Sequence, residues 1–368
     1  MTPDDLVESI RPELQNLGGY SAHTSPETLA GKIDVPAEKV LKLDANENPY
    51  GCSPRVSQAL SDYHKWNIYP DAAQAKLRRQ LQDYTGVDAS RIVAACGSGE
   101  LLDDILCLFI KQDDEVINCI PTFDMYRTRT IINGAKLVNV PRDDDYAIEV
   151  GAIKTAITSK TKLIILANPN SPTGTATPEK DVLALLDTGV PMLIDEAYYE
   201  FYGKTVVMLT DRYPNLMVLR TFSKWAGLAG LRVGYGIFPT EVASYLLKIK
   251  LPYNVNVAAL VAVQESLQDV DYLLSNVKAI ITERDRMFQE FEKIEWLKPF
   301  PSQANFIFCK VLKGNAGELH QRLQQRGILV RYFDLPRLQN SIRISVGKPE
   351  HTDILIKALR ELEEEING

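Results

Sequence analysis

The 368-residue sequence has little of what marks several large classes of protein. It contains only four histidines and five cysteines, the histidines lie far apart, and no two cysteines form a C-x-x-C pair. This spacing argues against a zinc enzyme and predicts no bound metal. The odd number of cysteines predicts reduced, mostly buried thiols in a reducing compartment.

Membrane and export signals are also missing. No apolar run is long enough to span a bilayer, and the acidic start, Met1-Thr-Pro-Asp-Asp-Leu-Val-Glu8, lacks the layout of a signal peptide. The formal net charge of -7 disfavours a nucleic-acid partner. We therefore expect a cytoplasmic protein that binds neither membrane nor nucleic acid.

What the sequence does contain is an alternation of apolar runs and helix-like segments between about residues 91 and 237. Runs that are apolar on both faces and separated by helices predict a mostly parallel sheet covered by helices on both sides. The expected fold class is α/β, with a seven-stranded sheet in a large domain. The seven runs are residues 92–95, 116–120, 137–140, 163–167, 192–194, 216–219 and 233–237.

Past about residue 250 the pattern changes to that of a smaller α+β domain. Residues 257–292 read as one long helix, and the later segments alternate as half-exposed strands, at 304–310, 327–332 and 341–346. We predict three parts. Residues 1–45 form an N-terminal arm and part of the small domain, residues 46–250 the large domain, and residues 251–368 the small C-terminal domain.

Four of the apolar runs are followed by polar segments that suit a binding site. These are Cys96-Gly-Ser-Gly-Glu100, Asn168-Pro-Asn-Ser-Pro-Thr-Gly174, Asp195-Glu-Ala-Tyr198 and the loop that carries Lys224. In a parallel sheet, ligands bind at the carboxyl ends of the strands. The sequence therefore predicts a site built from these four strand ends.

Lys224 indicates the chemistry of this site. A lysine just past a buried strand is poorly hydrated, which lowers the pKa of its amine and suits it to form a Schiff base. Ser223 and Arg232 add a hydroxyl and a guanidinium that suit a phosphate. Together they suggest pyridoxal 5'-phosphate (PLP), an aldehyde that carries a phosphate. This stretch alone equally fits a surface lysine and a structural arginine.

Two further features fit a PLP site. Asp195 ends an apolar strand, so its carboxylate should be buried and in need of a cation, which a protonated pyridine nitrogen would supply. A helix cap is the alternative for Asp195. Gly97-Ser98-Gly99 at a helix start can direct backbone N–H groups at a phosphate, although an ordinary glycine turn has the same composition.

From Leu41 to the C-terminus the chain resembles the fold-type I PLP-dependent aminotransferases, and most of all the histidinol-phosphate aminotransferase family. The order and spacing of the shared motifs carry this resemblance. They are Leu-Asp-Ala-Asn-Glu-Asn-Pro (43–49), Tyr69-Pro70, Pro-Thr-Phe (121–123), Asn-Pro-Asn-Ser-Pro-Thr-Gly (168–174), Asp-Glu-Ala-Tyr (195–198), Arg-Thr-Phe-Ser-Lys (220–224), Ala-Gly-Leu-Arg (229–232) and Ser-Ile-Arg-Ile-Ser-Val-Gly (341–347).

The resemblance implies a role for each site residue. Lys224 is implied as the Schiff-base lysine, Asp195 as the partner of the pyridinium, Tyr198 as a hydrogen-bond partner of the 3'-oxygen of PLP, and Phe123 as the residue that stacks on its ring. The implied phosphate ligands are Ser98, Gly99, Ser223 and Arg232. Tyr69 is implied to reach the phosphate of a neighbouring subunit, so that a homodimer shares its active sites. Arg343, Arg331 and Tyr20 are implied to bind substrate.

The chain departs from the family pattern at three places. Ser171 stands where asparagine usually contacts the 3'-oxygen, so either Ser171 or Asn170 takes that role. Gly99 replaces a usual acidic residue, and Leu-Gly-Gly-Tyr-Ser-Ala-His replaces the usual arm sequence around Tyr20.

The implied reaction belongs to histidine biosynthesis: imidazole acetol phosphate plus glutamate gives histidinol phosphate plus 2-oxoglutarate. The partners are thus an amino donor and a phosphorylated keto substrate. Two enzyme alternatives are an aromatic amino acid aminotransferase and a phospho-amino-acid decarboxylase of the same fold. A catalytically silent PLP-binding homologue is the non-enzyme alternative.

Overall fold

The computed structural model of the chain describes residues 7–15, 17–19 and 24–367. Over this part of the chain, twelve strands form two sheets. The strands are β1 (Leu41–Leu43), β2 (Ile92–Ala95), β3 (Glu115–Ile120), β4 (Lys136–Pro141), β5 (Thr161–Ala167), β6 (Met192–Asp195), β7 (Leu216–Thr221), β8 (Gly234–Ile237), β9 (Leu297–Phe300), β10 (Phe306–Val311), β11 (Ile328–Phe333) and β12 (Ser341–Ser345).

The helices pack around these sheets. They are α1 (Pro12–Gln15), α2 (Pro26–Ile33), α3 (Pro54–Ser61), α4 (Ala75–Thr85), α5 (Ser98–Phe109), α6 (Met125–Ile132), α7 (Val150–Ala156), α8 (Glu179–Leu186), α9 (Tyr199–Tyr202), α10 (Thr240–Ile249), α11 (Val257–Gln268), α12 (Val270–Glu292), α13 (Ala316–Gln325) and α14 (Pro349–Asn367). Short 3-10 turns cover Ala37–Lys39, Ala89–Arg91, Val207–Asp211 and Ala229–Leu231.

The large sheet has seven strands in the order β2-β8-β7-β6-β5-β3-β4. Only β8 runs antiparallel to its neighbours, so β2, β5, β6 and β7 point the same way. Along β2, Ile92 and Ala94 join one buried cluster, and Val93 and Ala95 join another. Since successive side chains of a strand face opposite sides, both faces of the sheet are covered. The predicted α/β fold with a mostly parallel seven-stranded sheet is confirmed.

The small sheet has five strands in the order β1-β11-β12-β10-β9. Strand β1 lies far from the others in sequence and pairs in parallel with β11, Leu41 opposite Ile328. The remaining pairs are antiparallel. The sequence pattern indicated β10, β11 and β12 but neither β1 nor β9. The boundaries after residues 45 and 250 stay predictions.

The single helix expected over residues 257–292 is two helices. Asp269 lies between α11 and α12 with non-helical angles, φ -127° and ψ 34°. Its carboxylate accepts a hydrogen bond from the hydroxyl of Ser53, a buried residue that also caps α3 through Arg55 N at 3.2 Å. The Ser53 hydroxyl thus contacts Asp269 at the break between the two helices.

The cysteines are less buried than the sequence suggested. Cys119 and Cys309 are buried, Cys52 is half-buried, and Cys96 and Cys107 are exposed. The expectation of mostly buried thiols is wrong because Cys96 lies in the turn after β2 and Cys107 on the outer face of α5. All five are free thiols.

The described ranges contain neither a membrane-spanning helix nor a cluster of metal-ligating side chains. None of the helices there combines the length and apolar character needed to cross a bilayer. No three histidine, cysteine, aspartate or glutamate side chains of those ranges come together as metal ligands.

Candidate active site

A cavity of about 980 Å³ opens at the carboxyl ends of β2, β5, β6 and β7 and extends to the small sheet. It lies where the sequence predicted a site, and most of the predicted residues line it together. These are Ser98, Gly99, Phe123, Ser171, Asp195, Tyr198, Ser223, Lys224, Arg232, Arg331 and Arg343. Gly18 and Gly19 of the N-terminal arm also line the cavity, while Tyr20 lies outside the described residues.

Lys224 lies in the loop after β7, and its side chain is half-buried. Its Nζ donates to the carbonyl of Ala45 at 2.9 Å. Burial, together with the nearby positive charge of Arg343, lowers the pKa of Lys224 from 10.5 to about 8. An amine with this pKa is partly neutral near physiological pH, about a tenth of it at pH 7, so it can act as a nucleophile or accept a proton.

Asp195 ends β6 and is 9% exposed, as its place after an apolar run suggested. One carboxylate oxygen accepts from Tyr126 Oη at 2.8 Å and the other from Ala197 N at 3.0 Å. Burial raises the pKa of Asp195, and the Tyr126 hydrogen bond opposes that rise. Both hydrogen-bond partners are neutral, so the carboxylate suits a cationic group brought by a ligand.

The turn after β2 forms the anion-binding end of the site. Gly97 has φ +81°, and a Cβ there would lie 2.6 Å from Arg232 Nη2, so only glycine lets the guanidinium pack against the turn. Arg232 itself has φ +55° and its Nη1 donates to Ser223 Oγ at 3.4 Å. Helix α5 begins at Ser98, directly after this turn. A helix start, two hydroxyls and a guanidinium together suit a phosphate.

Tyr198 follows Asp195 by three residues and is buried at 7% exposure. Its hydroxyl accepts a hydrogen bond from Asn46 Nδ2 at 2.9 Å, and Ser171 is among the polar groups that act on it. Burial raises the pKa of Tyr198, so the hydroxyl keeps its proton at neutral pH.

The structure separates the two candidates at the 3'-oxygen position. Asn170 is fully buried behind the cavity lining, and its amide accepts from Thr122 Oγ1 and donates to Pro121 O and Thr173 Oγ1. Ser171 lines the cavity and accepts from Arg343 Nη1 at 3.2 Å. The geometry therefore favours Ser171 as the residue that can meet a ligand.

Arg331 and Arg343 lie directly opposite each other on β11 and β12. Side chains in such positions share one face of the sheet, and both guanidinium groups come within 6 Å of the Phe333 ring, at 5.5 and 5.8 Å. Arg343 Nη2 also donates to Asp44 O at 2.7 Å. Their expected convergence on one pocket is thus observed.

Phe123 and Tyr69 occupy different surroundings. Phe123 lines the cavity at 37% exposure, with its ring edge-on to Tyr126 at 5.6 Å between centroids. Tyr69 is 77% exposed and stacks on Tyr253 at 4.5 Å. It is not among the described residues that line the cavity of its own chain.

Two residues that contact the site were missed by the sequence reasoning. Tyr126 holds Asp195, and Asn46 holds Tyr198. A signal for Tyr126 was its place three residues after Phe123 at a helix start, which puts both on one side of the helix. Asn46 lies in the shared motif at residues 43–49, but the resemblance implied no role for it.

Comparison with known proteins shows the family to which the chain belongs. The sequence profile described as "Aminotransferase class I and II" matches residues 38–359. The chain is 53% identical to a histidinol-phosphate aminotransferase of Dehalococcoides mccartyi, over 98% of this chain and 99% of that protein. It is 43% identical to the enzyme of the same name from Roseiflexus castenholzii, over 98% and 100%.

A solved structure agrees with these sequence matches. The histidinol-phosphate aminotransferase of Sinorhizobium meliloti, crystallised in complex with pyridoxal-5'-phosphate, superposes with a TM-score of 0.86. It is 26% identical, and the superposition covers 96% of this chain and 98% of that one. The chain therefore belongs to the class I and II aminotransferases.

Proposed function

We propose that this protein is a PLP-dependent aminotransferase that converts imidazole acetol phosphate and glutamate to histidinol phosphate and 2-oxoglutarate, a step of histidine biosynthesis. The observation that carries the proposal is a partly neutral lysine in one cavity with a buried acid, an anion cradle and two substrate-facing arginines. The 53% identity to an enzyme of that name, over nearly the whole chain, supports the same reaction.

The residues present fit PLP at both ends of the cofactor. Asp195 is a buried acid with neutral hydrogen-bond partners, which suits the protonated ring nitrogen. Arg232, Ser223 and the start of α5 suit the phosphate, and Gly97 leaves the space that the guanidinium needs. Bound PLP supplies an electron sink for the bond that breaks at the substrate Cα.

Lys224 Nζ is the group that we propose to carry PLP and then to move the substrate's Cα proton. Its lowered pKa of about 8 keeps a useful fraction of the amine neutral, so the nitrogen can accept that proton and return it elsewhere. We further propose that Phe123 stacks on the ring and that Ser171, rather than Asn170, contacts the 3'-oxygen beside Tyr198. The place of Ser171 in the cavity lining supports this choice.

Arg331 and Arg343 suit the substrates of this reaction. Glutamate carries two carboxylates, whereas histidinol phosphate carries a phosphate and no carboxylate. Two adjacent guanidinium groups can hold either anion in alternate half-reactions, since each charge-assisted bond contributes about 1.5–3 kcal/mol. A substrate with a plain aromatic side chain has no use for the second arginine. Tyr20 stays a predicted substrate contact of the arm.

We propose a homodimer with shared active sites. Tyr69 is 77% exposed and stacks on Tyr253, and large exposed side chains surround this stack along the chain, namely Trp66, Ile68, Ile249 and Leu251. Exposed apolar patches of this kind mark protein interfaces. A cytoplasmic location stays a prediction, supported by the five free thiols.

The experiment that tests the function compares half-reactions. Histidinol phosphate, glutamate and phenylalanine are added in parallel to the PLP-loaded protein, and the cofactor spectrum is followed. Borohydride reduction should fix PLP to Lys224 and to no other lysine. In Arg331→Ala, binding of histidinol phosphate should weaken about tenfold or more, while phenylalanine is nearly unaffected. Equal losses of binding for histidinol phosphate and phenylalanine would indicate an aminotransferase with another substrate. Release of carbon dioxide would indicate a decarboxylase.

A further inference from the structure

The loop that joins β1 to α3 contacts the active site at three consecutive residues. Asp44 O accepts from Arg343, Ala45 O accepts from Lys224 at 2.9 Å, and the side chain of Asn46 donates to Tyr198. The first two contacts use backbone carbonyls, which any residue could supply. The contact from Asn46 depends on its side chain.

Asn46 is held more firmly than a loop residue usually is. It is 1% exposed, and its φ of +55° lies in the left-handed region that asparagine tolerates better than most residues. Its backbone N–H donates to Ser345 Oγ at 2.8 Å, and its carbonyl accepts from Asn305 Nδ2 at 3.0 Å. Ser345 ends β12 and Asn305 immediately precedes β10, both of the small sheet, while Tyr198 follows β6 of the large sheet.

Ser345 decides which end of the Asn46 amide faces Tyr198. Ser345 Oγ accepts from the backbone N–H of Asn46 at 2.8 Å and donates its own proton to Asn46 Oδ1 at 3.0 Å. The oxygen of the amide is thereby fixed on the Ser345 side, and the NH₂ end is turned to Tyr198, at 2.9 Å. A hydroxyl oxygen that accepts here must send its own proton in another direction.

We infer that Asn46 is a positioning residue that makes Tyr198 a hydrogen-bond donor into the cavity, toward the side where Ser171 lies. The inference deepens the proposed function and rests on it, since the donor is useful only if an acceptor such as the 3'-oxygen of PLP binds there. A donor to that oxygen stabilises its anionic form, which lowers the pH midpoint of the cofactor's visible absorption band. Arg343 from β12 and Asp195 from β6 are the charged groups that act on Tyr198.

The test replaces the donor by an acceptor of the same shape. In Asn46→Asp, a carboxylate oxygen accepts from Tyr198 and captures its proton. The pH midpoint of the PLP band should rise by about one unit, as it should in Tyr198→Phe. In the Tyr198→Phe background, Asn46→Asp should add only the direct effect of its charge, so its shift should be clearly smaller there. Affinity of the cofactor-free protein for PLP, measured by fluorescence quenching, should show the same dependence.

Asn48→Asp is the matched control, because it adds the same charge to the same loop. Its amide donates to Trp225 O at 2.8 Å and does not touch Tyr198. Its effect should be equal in both backgrounds. If Asn46→Asp fails to fold, Asn46→Gly is the substitute, because glycine keeps the backbone conformation. Asn46→Gly should raise the pH midpoint of the PLP band by less than Asn46→Asp does, and it should cause no rise in the Tyr198→Phe background.

The outcomes separate the two proposals. A wild-type protein that gains no visible band with added PLP would sink the proposed function itself. A wild-type band combined with equal Asn46→Asp shifts in the two backgrounds overturns the role of Asn46 alone.

Discussion

At the scale of single residues, the site depends on groups whose proton affinity the fold has changed. Burial lowers the pKa of Lys224 to about 8 and raises that of Asp195. Both changes follow from placing a polar group at the end of a buried strand, where the charged form is poorly hydrated. The sequence position predicted a lowered pKa for Lys224 and burial for Asp195, each with a structural alternative.

The lowered pKa of Lys224 predicts a pH-dependent stability of the cofactor-free protein. Between pH 8 and 10.5 the unfolded chain binds a proton at Lys224 that the folded chain releases, so the folded state gains stability as the pH rises through this window. Lys224→Met lacks this gain. We expect the melting temperature of the variant, relative to wild type, to fall steadily between pH 8 and 10.

An exposed lysine provides the control for that comparison. Lys357 is 80% exposed, so Lys357→Met should keep a constant difference from wild type over the same range. A constant difference for Lys224→Met as well would mean that its pKa is not lowered.

Tyr126 predicts a second residue-scale effect. Its hydroxyl donates to the charged form of Asp195 at 2.8 Å, and a hydrogen bond to a charged group contributes about 1.5–3 kcal/mol. Tyr126→Phe should raise the pKa of Asp195 further and weaken the binding of PLP about tenfold to a hundredfold near neutral pH. The measurement is PLP affinity against pH.

Tyr146→Phe removes a similar hydroxyl that has no contact with Asp195, because Tyr146 Oη donates to Arg337 O at 3.5 Å. PLP affinity should stay unchanged in this control. Loss of affinity in both variants, or in neither, would exclude the proposed action of Tyr126 on Asp195.

The residues that the sequence reasoning missed share a physical reason. Tyr126 and Asp195 are 69 positions apart, Asn46 and Tyr198 are 152 apart, and Asn46 and Ser345 are 299 apart. Local pattern says which residues end a strand, but not which side chains the fold then brings within 3 Å. Only the family resemblance offered longer-range information, and it covered the known site residues.

At the scale of elements, the buried strands were the easiest part to predict. Each strand of the large sheet carries enough apolar residues to be recognised without its neighbours. Strand β1 (Leu-Lys-Leu) and strand β9 (Leu-Lys-Pro-Phe) are short and each contains a lysine, so neither forms a continuous apolar run. The break at Asp269 was missed because aspartate is only a weak helix breaker and its hydrogen-bond partner Ser53 lies 216 positions away.

An ion pair joins the ends of β6 and β7, the two strands that deliver Asp195 and Lys224. Arg220 Nη2 lies 2.9 Å from Glu196 Oε2, and the two side chains are 4% and 1% exposed. Removing one partner leaves the other charge buried, so Arg220→Met should destabilise the protein by about 3–5 kcal/mol. The measurement is the denaturant midpoint.

A surface pair gives the matched comparison. Arg360 Nη2 lies 3.0 Å from Glu290 Oε2, with Arg360 57% exposed, so Arg360→Met should cost less than about 1 kcal/mol. The double variant Arg220→Met/Glu196→Gln should recover part of the loss. Equal midpoints for the Arg220 and Arg360 variants would show that the buried pair contributes nothing special.

At the scale of the whole molecule, the exposed stack of Tyr69 on Tyr253 underlies the proposed dimer. If each site takes Tyr69 from the partner, Lys224→Ala and Tyr69→Ala damage complementary halves of a site. Mixing the two inactive variants under conditions of subunit exchange should restore about a quarter of the sites. The readout is transamination activity against time after mixing.

The same variants without exchange should stay at the mean of their separate activities. A mass tag on one variant shows whether subunits have exchanged. If they have, and the activity of the mixture still does not exceed this mean, Tyr69 acts in the site of its own chain or in no site.

The facing guanidinium groups of Arg331 and Arg343 have a consequence for the protein's lifetime. Like charges directly opposite each other on neighbouring strands repel, and a bound phosphate or carboxylate relieves that repulsion. A ligand that binds only the folded chain stabilises it by about 2.7 kcal/mol at a hundred times its dissociation constant. Resistance to heat and to proteases should therefore rise with the concentration of substrate. The lifetime of the protein should be longest when substrate is abundant.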